Sequence, residues 1–382
     1  MRKILFVTSR NIVGTSGELR LIKNRASALY KYYGVQTDII GIRPQREYVQ
    51  EDFGKGVDLE VIFFSKWNVL SYLNAIERLK KMILNKLKQN KYDCVLVSGT
   101  FVLYLINYIK RYNDNIPVLY DVHGAVEELI EFQTKSINRI YYNVLKNIEG
   151  RYLPRYDGGF VVSNALKEYL IKEYKLEKTD NIFVVPCATE GKTESFEEKK
   201  KKRDVYRKKY NFCKSDIVFV YSGGVSPWQC IDNVINMYMK MKKKNDACKL
   251  LILSHQADSI NIPKEYDVVV DKIPSDKVAD VLNCGDIGFL LRDDYITNNV
   301  AYPNKFLEYV KSGMYIISTP YIYDVAKQID EYKIGTLIDT LDNEIYDLSF
   351  EWGGDLKARY SLLRSVGYRN SLAPFIDKML RG

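Results

Sequence analysis

Histidine is nearly missing: the 382-residue sequence has two, His123 and His255. That leaves few parts for a histidine-built metal centre or a nucleophile–histidine triad. Six cysteines (Cys94, Cys187, Cys213, Cys230, Cys248 and Cys284) are scattered without a CxxC pair. They read as free, mostly buried thiols in a reducing compartment, not as a disulfide frame or a zinc site. No run approaches the ~20 apolar residues of a membrane span. The opening MRKILFVTSRN turns polar too soon for a signal peptide. The expectation is a cytoplasmic protein, at most peripheral on the inner face of the cytoplasmic membrane. GxGxxG, GxxxxGK, HExxH, GxSxG and Asp-x-Asp are absent as well. A dehydrogenase or P-loop reading would therefore rest on fold alone, which says little about function.

What is present is ordinary for a globular chain of two domains, with 46% hydrophobic and 27% charged residues. The net charge is +9. Basic residues gather in RLKKMILNKLKQNK (78–91) and KKKKRDVYRKK (199–209). Such blocks attract phosphate-bearing partners or anionic lipid, but a solvated face is the preferred reading of 199–209. In the 71–91 helix, Arg78, Lys80, Lys81, Lys86, Lys88 and Lys91 flank an apolar stripe of Ile76, Leu79, Ile83 and Leu87. It reads equally well as a salt-sensitive contact with anionic membranes or as a plain sheet-covering helix.

Short apolar runs alternate with amphipathic stretches along most of the chain. KILFVTS, QTDIIGI, YDCVLVSG, PVLYDVHG, a run from Val161 and NIFVVPCA predict strands in the first half. After a charged stretch the rhythm restarts with DIVFVYSGG, KLLILS, YDVVVDK, DIGFLL, YIIST and IGTLID. This β-α-β order predicts two doubly wound parallel sheets. The expected domains are 1–190, a linker at 191–213, a second domain at 214–354, and a helical segment at 355–382 crossing back to the first. Two such halves imply a cleft between them, and ligands of these sheets bind beyond the strand C-termini.

Three stretches carry candidate chemistry. In VFVYSGGVSPWQCIDNVI (218–235), Gly223 and Gly224 follow a strand and precede a helix, a backbone that approaches an anion closely or simply turns tightly. In LLRDDYITNNVAYPNKFLEYVKSG (290–313), Arg292 leaves a strand and Pro303 opens a helix bearing Lys305 and Glu308. A lysine in the first helical turn is poorly placed for the dipole unless an anion joins it. A carboxylate one turn on suits the paired hydroxyls of a ribose; the plainer alternative is an i,i+3 ion pair on a solvated face. In LYDVHGAVEEL (119–129), His123 follows a strand tip, as a substrate contact or a structural histidine.

YSGGVSPWQCID, KIPSDKVADVLNCGDIGFLL, PNKFLEYVKSGMYIIST and the N-terminal KILFVTS fall in the order found in GT-B glycosyltransferases. Together they resemble the family-four group of retaining, nucleotide-sugar-dependent enzymes, in particular branches serving bacterial capsule, O-antigen and exopolysaccharide assembly. The likeness spans most of the chain and is weakest over 10–120. It implies a GT-B fold and a hexosyltransferase that elongates a lipid-linked glycan. The donor is a nucleotide sugar, UDP-sugar first and GDP-sugar second, with no metal, no cofactor and no nucleic-acid partner. It assigns Glu308 to the ribose and the backbone at Lys272 and Ile273 to the base. The leaving diphosphate falls to Arg292, Lys305, the Gly223 and Gly224 amides and the backbone of Asn299, Val300 and Ala301. His123 would contact the donor sugar near its 6-hydroxyl, beneath the Gly14–Gly17 loop. The sequence departs from the family in two places: Val300 replaces the first of two paired glutamates, and Trp228 and Gln229 lie where an arginine and a lysine are usual. Two rival readings stay open, a non-catalytic GT-B partner subunit and a GT-B nucleotide-sugar epimerase or hydrolase.

Overall fold

The computed structural model describes residues 2–10, 17–44, 52–65, 68–132, 135–188, 194–260, 262, 266, 268–339 and 352–380. The chain divides into two compact units, Met1–Glu190 with Val366–Gly382, and Gly191–Ser365. Each is built on a parallel sheet.

In the first unit the strands are β1 (Lys3–Thr8), β2 (Gln36–Pro44), β3 (Val57–Phe64), β4 (Cys94–Ser98), β5 (Val118–Val122), β6 (Gly158–Val161) and β7 (Ile182–Val184), in spatial order β3-β2-β1-β4-β5-β6-β7. Every pairing is parallel, with Phe6 opposite both Ile39 and Leu96. The central strands β4 and β5 are buried at every residue. This is why CVLVS and VLYDV read as continuous apolar runs: both faces are covered. Helices α1 (Gly17–Tyr33), α2 (Val69–Gln89), α3 (Leu105–Tyr112), the short α4 (Glu128–Glu131), α5 (Ser136–Tyr152) and α6 (Asn164–Tyr174) connect the strands. Asn68 and Ser163 cap α2 and α6 through their side chains, each satisfying one orphan amide of a first turn. Ile76, Leu79 and Ile83 of α2 are buried. The core of this unit also takes in Tyr368, Leu372, Phe375, Ile376 and Leu380 from the C-terminal end.

In the second unit α7 (Phe196–Lys209) precedes β8 (Ile217–Ser222), α8 (Ile231–Lys244), β9 (Cys248–Leu253), β10 (Val268–Asp271), α9 (Ser275–Val281), β11 (Ile287–Leu290), α10 (Ile296–Asn299), α11 (Asn304–Ser312), β12 (Tyr315–Ser318), α12 (Tyr323–Tyr332), β13 (Gly335–Leu337) and α13 (Leu356–Val366). The spatial order is β10-β9-β8-β11-β12-β13, again parallel. Residues 191–213, expected as a linker running into a charged helix, contain α7, which begins with a Ser195–Glu198 capping box.

The basic block of α7 matches the solvated-face reading at Lys200, Lys201, Lys208 and Lys209, which are exposed, and departs from it elsewhere. Lys199 and Arg207 are buried, at 4% and 5% exposure. Lys199 Nζ donates to the Lys311 carbonyl at 2.5 Å. Asp286 receives Arg203 on one carboxylate oxygen and Arg207, at 2.5 Å, on the other, and also the Val218 amide at 2.8 Å. A carboxylate at the foot of β11 thereby fastens α7 to β8 and β11. Four of the six cysteines are buried and all six are free, as expected. Among the described residues no helix is long and apolar enough to cross a membrane.

Candidate functional site

At the C-terminal edge of the second sheet, β8 delivers Tyr221 and Gly223, β11 delivers Arg292, and α11 delivers Lys305. Pro303 is the N-cap of α11 rather than its first residue, so Lys305 is the second helical residue. Lys305 and Arg292 are only 7% and 4% exposed. A buried cation ordinarily has a carboxylate partner. Among the described residues, neither of these two is in an ion pair. Both donate to one neutral atom, Gln229 Oε1: Lys305 Nζ at 2.7 Å and Arg292 Nη2 at 2.7 Å. Arg292 Nη1 reaches the Gln229 and Leu291 carbonyls at 3.1 and 2.7 Å.

The walls fit this arrangement. Lys305 Nζ lies 4.3 Å from the centre of the Tyr221 ring, a cation–π contact. The Tyr309 hydroxyl, also on α11, accepts the Ser222 amide at 2.9 Å. Gly223 has φ +146°, and a Cβ there would sit 3.0 Å from Lys305 Nζ, so both backbone and lysine require glycine. Cys230 takes a left-handed φ of 52° at the N-cap of α8. Burial, and then the charge of Arg292, push Lys305 well below the usual lysine range. Burial also lowers Arg292. A neutral amide oxygen compensates a guanidinium and an ammonium group poorly. An anionic oxygen in its place would satisfy both with charge-assisted bonds.

Two expected contributions change in character. The amides of Asn299, Val300 and Ala301 already donate to Tyr295, Ile296 and Asn298 carbonyls at 2.8, 3.1 and 3.1 Å; they close α10 and are not free donors. The Gly223 amide is likewise committed, to Leu253 at 3.0 Å. This leaves Gly224 of the pair, and the first amides of α11, at Asn304 and Lys305, which a helix leaves without an internal partner. Glu308 and Trp228 are half-buried. Ile273 is buried, and the exposed Lys272 is paired with Asp258 beyond β10. Gly17 opens α1, and Gly14 lies outside the described residues.

His123 belongs to the first unit, just beyond β5. Its Nε2 is 2.7 Å from Asp121 Oδ2, and Arg25 Nη1 is 2.5 Å from Asp121 Oδ1. Arg25 also donates to the Val185 carbonyl at 2.9 Å and stacks over Phe160. Burial alone would raise Asp121; Arg25 and then His123 outweigh it and hold the carboxyl well below its ordinary range. His123 Nδ1 is buried without a partner among the described residues. Asp121 therefore anchors the ring by one nitrogen and leaves the other unused.

Arg25, Tyr221 and Tyr309 escaped the sequence reading. For Arg25 a signal existed: it falls on the same helical stripe as Leu21, Ile22, Ala26 and Leu29, all buried, where a charge demands a partner. For Tyr221 and Tyr309, an aromatic in an apolar run has no such mark. Among the described residues no group of three histidine, cysteine or carboxylate side chains could hold a metal ion.

Residues 22–190 match a family model described as Glycosyltransferase Family 4. No curated protein matches the sequence significantly. Solved structures share the whole fold at low identity. A glycosyltransferase from Rickettsia africae ESF-5 aligns with TM-score 0.59 and 14% identity, over 99% of this chain and 94% of that one. WaaG, a glycosyltransferase involved in lipopolysaccharide biosynthesis, gives 0.57 and 12%, over 98% and 95%. An E. coli trehalose-6-phosphate protein bound with UDP-2-fluoro glucose gives 0.62 and 9%, over 100% and 99%. The family match thus lies within the first unit, and the whole chain shares the GT-B fold of these solved structures.

Proposed function

We propose that the protein is a retaining hexosyltransferase that passes a sugar from a nucleotide-sugar donor to a lipid-linked glycan in surface-polysaccharide assembly, working in the cytoplasm or on the inner face of its membrane. The observation that carries the donor part is the pair of buried cations, Arg292 and Lys305, held on one amide oxygen of Gln229. Such a pair is expensive to bury and suits the diphosphate of a nucleotide sugar. As the leaving diphosphate gains charge, Arg292, Lys305, Gly224 and the start of α11 stabilise it, and this is where catalytic benefit concentrates. Glu308 takes the ribose hydroxyls, the backbone at Lys272 and Ile273 the base, and His123 the sugar. Retention follows from front-side attack assisted by the leaving phosphate, with no protein nucleophile. The neighbour solved with UDP-2-fluoro glucose favours a UDP-sugar, with GDP-sugar second. The likeness to WaaG favours a lipid-linked acceptor.

Thermal-shift measurement with UDP, GDP, ADP and their sugars tests the donor site. A ligand at a hundred times its Kd stabilises by about 2.7 kcal/mol, and Lys305→Met should abolish most of that shift. If no nucleotide stabilises the parent, the reading fails. Val300, buried at 3% exposure where the resembled family carries a glutamate, favours a second reading: a nucleotide-binding subunit without turnover. Nucleotide release from a donor in the presence of acceptor separates the two.

A further inference from the structure

The second sheet parts early at the end where the two buried cations sit. β8 pairs with β9 at six positions, Ile217 to Ser222. Among the described residues β11 meets β8 at two, Ile287 opposite Phe219 and Gly288 opposite Val220. Amides alternate in direction along a strand. Those of Ile217 and Gly223 go to the β9 side, to the Ala247 and Leu253 carbonyls at 2.9 and 3.0 Å. The amides of Val218, Val220 and Ser222 therefore point toward β11. Val218 donates to Asp286 Oδ2 at 2.8 Å, below the paired positions. Ser222 donates to the Tyr309 hydroxyl at 2.9 Å, above them. A phenol oxygen from α11 stands where a carbonyl of β11 would have continued the sheet.

The surroundings are shaped for this tyrosine. Tyr309 is wholly buried, and a Cβ on Gly288 would lie 2.5 Å from its Cδ2, so the strand carries no side chain where the ring rests. Ser222 is buried as well, and an amide left there without an acceptor is costly. Phenylalanine would fill the same space but leave that amide unpaired. Lys305 precedes Tyr309 by four residues, so it shares that face of α11, about 6 Å nearer the helix start. The turn it reaches is held separately from its other side: the Tyr221 hydroxyl donates to the Gly224 carbonyl at 2.5 Å, and Gln256 Oε1 accepts the Val225 amide at 3.1 Å. The Tyr309 hydroxyl is the bond that ties the helix bearing Lys305 to the strand bearing Gly223.

We propose that Tyr309 is a positioning residue of the anion site. By holding the Ser222 amide in place of β11, it sets the height of α11 on β8 and so the place of Lys305 over the Gly223–Gly224 turn. This deepens the donor-diphosphate reading and rests on it for the identity of the ligand.

Tyr309→Phe keeps the ring and removes the hydroxyl. Calorimetric titration should show UDP binding about tenfold weaker than to the parent. In a Lys305→Met background the same change should matter less than about twofold, because the group it positions is gone. Equal weakening in both backgrounds, the behaviour of a residue that only supports the fold, overturns the proposal. Ile329→Ala, a truncation of a buried side chain on α12, is the control: it should lower the melting temperature and leave UDP affinity unchanged. Amide exchange followed by NMR needs no ligand. Ser222 and Gly224 should exchange faster in Tyr309→Phe while β9 stays protected, and unchanged exchange at Ser222 overturns the proposal whatever UDP does. Should Tyr309→Phe not fold, Gly288→Ala, which displaces the ring, is read by the same two measurements. A parent that binds no nucleotide refutes the diphosphate reading alone, and the exchange result then decides whether Tyr309 holds the turn.

Discussion

Each unit buries charge near the C-terminal ends of its central strands, and the two do so in opposite ways. In the first, Arg25 meets Asp121, which also holds His123: every charge has a counter-charge. In the second, Arg292 and Lys305 share a neutral oxygen of Gln229. The compensated cluster contributes to the fold and to the aim of one imidazole. The uncompensated one weakens the fold, and an anion such as the diphosphate of the proposed donor would recover that cost. Buried charge therefore reports structure or ligand binding according to whether its partner is already in the protein.

Breaking the compensated cluster should have the largest effect on stability. Arg25→Met leaves Asp121 buried beside His123 alone and should cost about 3–5 kcal/mol by urea unfolding at neutral pH. The pH dependence has a defined sign. Asp121 is lowered in the fold by Arg25 and His123, so its contribution is complete above about pH 4 and lost on further acidification. Without Arg25, burial dominates, and the variant's deficit should narrow as pH falls toward about 4.

The uncompensated cluster should respond the other way. Lys305→Met removes a buried cation while keeping the stem, and should stabilise the ligand-free protein by about 1 kcal/mol. It should lower turnover roughly a hundredfold. Lys305 is depressed in the fold, so the unfolded chain holds more protons and parental stability should rise with pH toward about 10.4. Lys305→Met should lack that rise. A variant that is both less stable and fully active would end the contrast between the two units.

Glu308→Gln should weaken nucleotide binding by about tenfold to a hundredfold, the worth of charge-assisted bonds to ribose hydroxyls, with melting unchanged because Glu308 is half-buried. The smallest effect on nucleotide binding is expected at Gln229. Gln229→Ala deprives both cations of their acceptor and should cost about 1–3 kcal/mol without ligand. Nucleoside diphosphate, no longer competing with the amide, should bind as tightly as to the parent or a few-fold tighter. Calorimetric titration with UDP checks both.

Much of the fold was legible because strands buried on both faces must be apolar throughout. KILFVTS, DIVFVYSGG and DIGFLL announce β1, β8 and β11. The edge strand β3 was missed because VDLEVIFF mixes charge with apolar residues along a half-exposed edge. Helix α5 was missed because SINRIYYNVLKN does not separate its faces by polarity. Of the candidate site, Arg292, Lys305, Gly223 and Gln229 were readable as misplaced charge, turn glycine and a departure from a family pattern, and the structure brings them together. The backbone of residues 299–301 was assigned to a ligand because sequence does not show which backbone donors are already taken.

The sequence by itself determined where the apolar runs lie, hence two parallel sheets, and where charge interrupts them, hence the residues worth suspecting. Only the tertiary structure decided which of those charges are compensated. Arg203 and Arg207, inside a basic block, close on Asp286, while Arg292 and Lys305, thirteen residues apart, converge on one amide oxygen. The reason is physical: local pattern sets which face of an element is buried, but the partner of a buried charge comes from a distant element. The energy of that charge depends on the partner more than on its own neighbours in sequence.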